Sequence, residues 1–202
     1  MKAANLNRTY PDQHPDPLES FRAPPGAGTL GTWLFTAGLT IAFAWLLIGY
    51  VYVRSGATTP SPAVPVWFWF STFVLLVSSV TLHWAYLSAK MGRLTVSGIA
   101  LHLSTLLGVL FLILQTPGLV ALVKMHKQAE ASNATAYLLV LVLVVMHGLH
   151  ALFGLGRMAV LNRLVHVESA HAHGAAHLKQ MCLFWHFLAV IWVVMFGVIL
   201  WA

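Results

Sequence analysis

Histidine is the residue type with the clearest chemical potential in this sequence. Five of its 11 histidines lie in long apolar runs: His83, His102, His147, His150 and His186. A haem in a helix bundle needs two axial imidazoles that face each other from different helices at the same depth. His147 and His150 are three residues apart and therefore share one helix face. A membrane protein that binds haem b is one hypothesis, with His83 and His102, close to helix ends, as its weakest ligands.

Buried histidines more often bond a backbone carbonyl, a tyrosine or a lipid phosphate than hold a cofactor. Four more histidines lie in the polar stretch before the last apolar run: His166, His171, His173 and His177. They could form a metal-binding loop, but their spacing implies no fixed ligand geometry. The single Cys182 offers neither a disulfide nor a CxxC motif. We therefore expect a solvated extension of the fourth helix here, and no metal or catalytic residue in this chain.

Carboxylates are missing where membrane proton chemistry would need them. The acidic residues all lie outside the apolar runs: Asp12, Asp16, Glu19, Glu130 and Glu168. Acids inside membrane helices usually mark proton relays and cation carriers. The sequence also has no nucleophile and base pair, no glycine-rich phosphate loop and no HExxH motif. The chain alone is not expected to be catalytic.

The elements that must position the histidines are membrane-spanning helices. The chain is 59% hydrophobic and 8% charged, whereas soluble domains have about 25% charged residues. Five apolar runs follow a polar, proline-rich tail at residues 1–28, and each can span a bilayer of about 30 Å. The fold class is all-α, a polytopic five-helix bundle over residues 29–202. Its helices are predicted at about residues 30–53, 66–89, 96–123, 136–161 and 181–202.

The positive residues predict an orientation instead of a nucleic-acid partner. Eight lysines and arginines fall in the tail and the second and fourth connections, and three fall on the other side. Positive loops favour the cytoplasm. We expect the N-terminus to be cytoplasmic and the C-terminus to be periplasmic or outside.

Glycines on the fourth predicted helix indicate close helix packing. Gly148, Gly154 and Gly156 lie in the same apolar run as His147 and His150. Small residues let neighbouring membrane helices approach closely. We therefore expect a neighbouring helix on the glycine side.

Five motifs, taken in order, resemble one known family. They are Trp33-Leu34-Phe35 with Tyr50-Val51-Tyr52-Val53-Arg54, Ser78-Ser79-Val80-Thr81-Leu82-His83, Leu106-Leu107-Gly108-Val109-Leu110-Phe111-Leu112 running to Gln115, His147-Gly148-Leu149-His150 with Gly154, and Trp185-His186-Phe187 with Ile191-Trp192. Together, over about residues 29–202, the chain resembles subunit III of the haem–copper cytochrome c oxidases in its short, five-helix bacterial form.

The resemblance implies a non-catalytic subunit in a bacterial plasma membrane. Its expected partners are the catalytic subunit I and subunit II, which would contain the haem and copper used in dioxygen reduction coupled to proton translocation. This chain would hold no cofactor itself but would stabilise subunit I and bind phospholipid. The residues expected to make lipid or inter-helix contacts are Trp33, His83, His147, His150 and His186.

Three acids usual in that family are absent here. Gly38 and Leu39 stand in the helix-one neighbourhood of one acid, Ala189 replaces an aspartate, and Thr116-Pro117-Gly118 replaces a glutamate. A role of those acids in proton uptake or dioxygen access therefore does not carry over. A subunit III relative in a quinol oxidase or a nitric oxide reductase remains an alternative, as does the stand-alone haem b protein.

Overall fold

The computed structural model is a bundle of α-helices. It describes residues 27–56, 64–129, 131–167 and 173–201, without the side chains of residues 27–29, 131–132, 164–167 and 173–176. Within these ranges the helices are α1 (Ala27–Ser55), α2 (Trp67–Lys90), α3 (Leu94–Gln128), α4 (Ala131–Val167) and α5 (His173–Trp201). All five are long and apolar enough to cross a membrane. The described part contains no strand, and the all-helical prediction is confirmed.

Helices α3, α4 and α5 are longer than the apolar runs that predicted them. Helix α3 continues to Gln128 instead of about residue 123, and α4 runs from Ala131 to Val167 instead of 136–161. Helix α5 begins at His173, eight residues before the predicted start at 181. Hydropathy marks the part of a helix that suits lipid, whereas backbone hydrogen bonding continues into polar residues beyond it.

Two sequence-based expectations fall partly outside the described residues. The predicted tail lies there except for residues 27 and 28, which belong to α1. His171 is also outside, while His166 lies in the last turn of α4 and His173 begins α5. The side chain of His177 is exposed.

Helices α2 and α3 form a tight antiparallel hairpin. Gly92 has a φ of 74°, a left-handed conformation that glycine adopts without a Cβ clash. In the same turn, the Arg93 amide donates to the Ser88 carbonyl at 2.9 Å. The Ser97 hydroxyl then donates to the Ala85 carbonyl at 2.8 Å. The turn and this bond set the register of the two helices.

Small polar residues fill the seam between α2 and α3. The Ser78 hydroxyl donates to the Ser104 carbonyl at 3.0 Å, and the hydroxyls of Thr81 and Ser104 lie 2.8 Å apart. Ser78 and Ser104 are fully buried. Small residues let membrane helices approach closely, and their hydroxyls join them across the contact.

Helix α5 packs against α1, α2 and α4. Its Trp185 and Trp192 are among the largest fully buried side chains of the described chain. The Trp192 indole nitrogen donates to Thr72 Oγ1 of α2 at 2.7 Å. Within the described residues, α1 contacts only α4 and α5, and its inward stripe is Leu39, Phe43 and Tyr50. Helix α1 is therefore peripheral.

Candidate functional site: an aromatic groove and the inter-helix histidines

A groove lies where the start of α1, the end of α4 and the start of α5 meet. Phe35, Phe153 and Phe184 form part of its wall, with ring centroids 6.0 to 6.1 Å apart. Gly31 and Thr32 leave space at the α1 side, and the cavity measures about 240 Å³. Each of the three helices therefore contributes one phenylalanine to the lining.

A single arginine adds positive charge to this groove. Arg157 of α4 lines it beside Gln180 of α5, and the Arg157 side chain is exposed. Guanidinium groups bind phosphate through two parallel hydrogen bonds. An apolar trough with a cation at its edge suits an amphiphile whose chains lie on the phenylalanine rings and whose phosphate meets Arg157.

A second groove lies on the other side of α1. Trp33, Thr36, Leu183 and Phe187 line it, together with Gln180, which also lines the first groove. Its volume is about 140 Å³. Trp33, one of the residues expected to contact lipid, is 61% exposed and lines this groove.

His147 is fully buried on α4. Its ring centroid lies 5.0 Å from that of Trp192, 6.0 Å from Phe111 and 6.3 Å from Phe43. Neither ring nitrogen of His147 has a hydrogen-bond partner within the described residues. The structure therefore places His147 in an inter-helix aromatic contact between α1, α3, α4 and α5.

His150 lies on the same face of α4 as His147. Its centroid is 5.9 Å from that of Phe43 and 6.4 Å from that of Phe35, so both histidines face α1. His150 Nδ1 is 2.6 Å from the Met146 carbonyl oxygen. Because a carbonyl only accepts hydrogen bonds, this nitrogen carries the proton. The bond ties one ring nitrogen of His150 to its own helix.

His83 and His186 meet across α2 and α5. His83 Nδ1 and His186 Nε2 are 3.3 Å apart, and the ring centroids are 5.4 Å apart. Two imidazoles on opposite sides of one haem iron would have their nitrogens about 4 Å apart, twice a metal–nitrogen bond of about 2 Å. This pair is too close to bind a haem between its rings. His102, on α3, is exposed, and its Nδ1 bonds the Gly98 carbonyl at 2.9 Å.

The three glycines expected to allow close packing on α4 have different surroundings, and the expectation is wrong for Gly156, where a Cβ would meet nothing within 4 Å. A Cβ at Gly154 would lie 3.0 Å from both Phe184 Cε1 and Trp185 Cζ3, whereas one at Gly148 would meet only Gln115 Oε1, at 3.9 Å. Gly154 thus lies directly against α5. Two tighter positions were not predicted from the sequence: a Cβ at Gly108 would lie 2.5 Å from Leu155, and one at Gly118 would lie 2.5 Å from Phe68.

Two of the positions where the family usually has an acid are apolar and buried here. Leu39 is 8% exposed and Ala189 is 4% exposed. All five Asp and Glu residues of the sequence lie outside the described residues. No carboxylate lies in the described parts of the five helices.

Sequence reasoning also missed Arg157 and Cys182 as functional candidates. In the sequence analysis Arg157 contributes only to the predicted membrane orientation. An arginine in the last third of an apolar run, three residues beyond Gly154, could also have indicated a binding site. Cys182 and His186 have the Cys-x-x-x-His spacing that puts both on one helix face. Finding their partner His83 required the packing of α5 on α2, which the sequence alone does not give.

These features define a polytopic helical membrane protein with an aromatic groove and no carboxylate in its described helices. No protein-family model matches the sequence. The chain is 30% identical over 210 aligned positions to cytochrome bo3 ubiquinol oxidase subunit 3 of Pseudomonas aeruginosa, covering 98% of this chain and 97% of that protein. It is 30% identical to cytochrome c oxidase subunit 3 of Bacillus sp. strain PS3, covering 84% and 83%, and 28% identical to its counterpart in Bacillus subtilis, covering 90% and 92%.

The chain belongs to the subunit III family of the cytochrome c and cytochrome bo3 ubiquinol oxidases. The resemblance found in the motifs is confirmed by similarity over almost the whole chain. Family membership places the protein among the multi-pass membrane subunits of respiratory electron transport.

Proposed function

We propose that this chain is the non-catalytic third subunit of a haem–copper terminal oxidase. It packs against the catalytic subunit I, in a complex with subunit II, and those partners contain the haem and copper that reduce dioxygen. The observation that carries this proposal is the full-length similarity to subunit 3 of an oxidase. The described residues of the five helices contain no carboxylate, which agrees with a supporting role in a complex whose proton chemistry lies in other subunits.

The proposed location is a bacterial plasma membrane, with the N-terminus in the cytoplasm. The excess of lysine and arginine in the tail and in the second and fourth connections supports this orientation. The groove that contains Arg157 then lies towards the cytoplasmic side. Accessibility of a cysteine introduced into the tail, compared between intact cells and inverted vesicles, tests the assignment.

The second part of the proposal is that the grooves beside α1 hold phospholipid. Phe35, Phe153 and Phe184 would contact the acyl chains, and Arg157 would bind the phosphate. Trp33 would contact a chain in the neighbouring groove. His147 and the His83–His186 pair would act instead as contacts between helices.

The electron donor distinguishes two forms of this function. Cytochrome c is the donor in our main proposal, and a quinol is the alternative. One observation keeps the alternative in place: the match to the ubiquinol oxidase subunit extends over 98% of this chain, against 84% for the Bacillus sp. protein, at the same identity of 30%. Oxygen uptake by the purified complex with reduced cytochrome c, compared with uptake on ubiquinol, separates the two.

Copurification tests the main proposal. The chain is tagged at its C-terminus in its own host and purified from membranes in a mild detergent, alongside an equally tagged unrelated multi-pass protein. We expect mass spectrometry to find a haem–copper catalytic subunit in a 1:1 ratio with this chain. The control protein should not copurify with that subunit.

Recovery of the tagged chain as a monomer without haem would contradict an oxidase role. A Soret absorption band that stays with the isolated chain, and that disappears in His147→Ala or His150→Ala, would instead support the haem b alternative.

A further inference from the structure

Three metal-ligand atoms converge between α2 and α5. His83 Nδ1 lies 3.6 Å from Cys182 Sγ and 3.3 Å from His186 Nε2. All three ligand atoms lie within 4.8 Å of one another. They come from the facing surfaces of two antiparallel helices.

Two pairs with the same spacing build this cluster. Cys182 and His186 are four residues apart on α5, and Ser79 and His83 are four residues apart on α2. Residues with this spacing stack on one helix face. Because Trp192 bonds Thr72 further along the same helix contact, the register that brings the two pairs together is fixed by packing outside the cluster.

The distances match those between ligands of one metal ion. With metal–nitrogen bonds of about 2.05 Å and a metal–sulfur bond of about 2.3 Å, two nitrogens lie about 3.35 Å apart in tetrahedral and about 3.55 Å apart in trigonal coordination, and nitrogen and sulfur lie about 3.6 and about 3.8 Å apart. The two observed distances are 3.3 and 3.6 Å. The third edge is at most 4.8 Å and would have to shorten by up to about 1 Å, through rotation of Cys182 or His186, for all three atoms to bind one ion.

Ser79 orients one of the ligands. Its hydroxyl is hydrogen-bonded to His186 Nδ1, and Ser79 is 6% exposed. When His186 Nδ1 donates its proton to this hydroxyl, Nε2 keeps its lone pair directed at His83 and Cys182. Such a second contact commonly sets the tautomer of a metal-binding histidine.

We propose that His83, Cys182 and His186 bind one soft d10 metal ion, and that Cu(I) suits the site better than Zn(II). A thiolate with two imidazoles is a ligand set for either ion. On binding, the Cys182 thiol loses its proton to water and the sulfur–metal bond forms without any change of oxidation state. This proposal departs from the sequence-based expectation that the chain holds no metal.

Charge favours Cu(I) in this position. One Cu(I), one thiolate and two neutral imidazoles carry no net charge, whereas Zn(II) would leave one positive charge. His83 lies seven residues before the end of α2, about 10 Å along the helix at a rise of 1.5 Å per residue. Net charge at such depth in a membrane is costly. Zn(II) would also need a fourth ligand.

Metal loading of the full chain in detergent tests the proposal. Because the loop histidines could bind copper independently, His166, His171, His173 and His177 are first replaced with glutamine. This parent protein is loaded anaerobically with Cu(I) and, separately, with Zn(II), and is then dialysed against a chelator. We expect one Cu(I) per chain, with an X-ray absorption spectrum that contains both sulfur and nitrogen ligands.

Variants of the ligands are compared with a matched histidine. In the same parent, Cys182→Ser, His83→Gln and His186→Gln should each lose the bound Cu(I), and Ser79→Ala should weaken binding about 10-fold or more. His102→Gln, which changes an exposed histidine on α3, should keep it. Helical circular dichroism and gel-filtration position show that each variant is folded; Cys182→Ser changes a single atom.

Either of two results would overturn the site. One is an equal Cu(I) content in Cys182→Ser and its parent. The other is an equal loss in His102→Gln and His83→Gln. Retention of Zn(II) but not Cu(I), with the same dependence on the three ligands, would overturn the choice of copper.

Discussion

The hairpin of α2 and α3 and the peripheral helix α1 are held in different ways. Across the hairpin, Ser78 bonds the Ser104 carbonyl and Ser97 bonds the Ala85 carbonyl. On α1, by contrast, Thr36 and Thr40 donate to carbonyls within their own helix, at 2.7 and 2.9 Å. Hydroxyls that bond carbonyls of their own helix do not join that helix to a neighbour. Helix α1 is therefore held mainly by its apolar stripe.

This difference explains where the grooves lie. A seam of serines and other small residues brings α2 and α3 close together, with no room for a lipid chain. Large aromatic side chains such as Phe35 separate the start of α1 from α4 and α5 and leave cavities on both sides. Hydrogen bonds join α2 to α3 and α5 to α2, and lipid completes the packing of α1 in the function proposed above.

The largest effect is expected from a charge in the apolar stripe of α1. Leu39 is 8% exposed, and burying a polar group without a partner costs about 2 to 7 kcal/mol. Leu39→Glu should therefore weaken assembly with the oxidase and give no gain in turnover. The yield of copurified complex and its oxygen uptake between pH 6 and 9 measure both effects.

Leu39→Gln is the matched control, since it is polar but cannot ionise. We expect both variants to lower the yield and neither to give a new pH dependence. An intact complex in which Leu39→Glu alone acquires a new pH dependence would mean that this part of α1 opens onto a proton path.

A smaller loss is expected from overpacking the contact between α4 and α5. A Cβ at Gly154 already lies 3.0 Å from Phe184 and Trp185, and extra carbons in a packed core cost about 1 to 3 kcal/mol. Gly154→Leu should lower the melting temperature and the yield of complex. Gly156→Leu, two residues away, is the control because a Cβ there has nothing within 4 Å. Equal behaviour of the two variants would show that the contact does not limit packing.

Removal of one hydroxyl from the seam between α2 and α3 should lower the stability less than this. The loss is expected only where the hydroxyl is buried. Ser78→Ala removes the bond to the Ser104 carbonyl, and hydrogen bonds between membrane helices contribute about 0.6 kcal/mol on average. Thermal unfolding of the purified chain should detect a loss of that order. Thr116→Ala removes an exposed hydroxyl that bonds within α3 and should have less effect; a larger loss there would place the stabilising bonds outside the seam.

The sequence predicted the helices better than the contacts between them. Length and hydropathy were sufficient for five spans, because lipid requires every backbone group to be bonded within a helix. The three-residue spacing also put His147 and His150 on one face, where both now lie near Phe43. Cys182 and His83 were not linked, since their proximity depends on the register of α5 against α2. In the sequence Arg157 indicates only the orientation of the helices. The groove that it lines forms where three helices pack together, and sequence spacing does not show that packing.

The smallest effect on stability, and the most specific one, is expected at Arg157. Its guanidinium lies at the edge of the aromatic groove, so it adds little to helix packing but would bind the phosphate of a lipid. Arg157→Gln should leave the melting temperature unchanged in excess phospholipid and should reduce the phospholipid retained after detergent washing. Quantitative mass spectrometry of extracted lipid, per mole of chain, measures the retention. Arg163→Gln is the matched control, because Arg163 is an exposed arginine on the same helix and does not line the groove.

Phe153→Ala should also release lipid, since it removes one wall against which the acyl chains would pack. If Arg157→Gln retains as much phospholipid as Arg163→Gln while Phe153→Ala loses it, the groove holds chains without recognising a headgroup. If all three retain it equally, the aromatic groove is not where the lipid binds, and α1 must be stabilised by direct contact with another subunit.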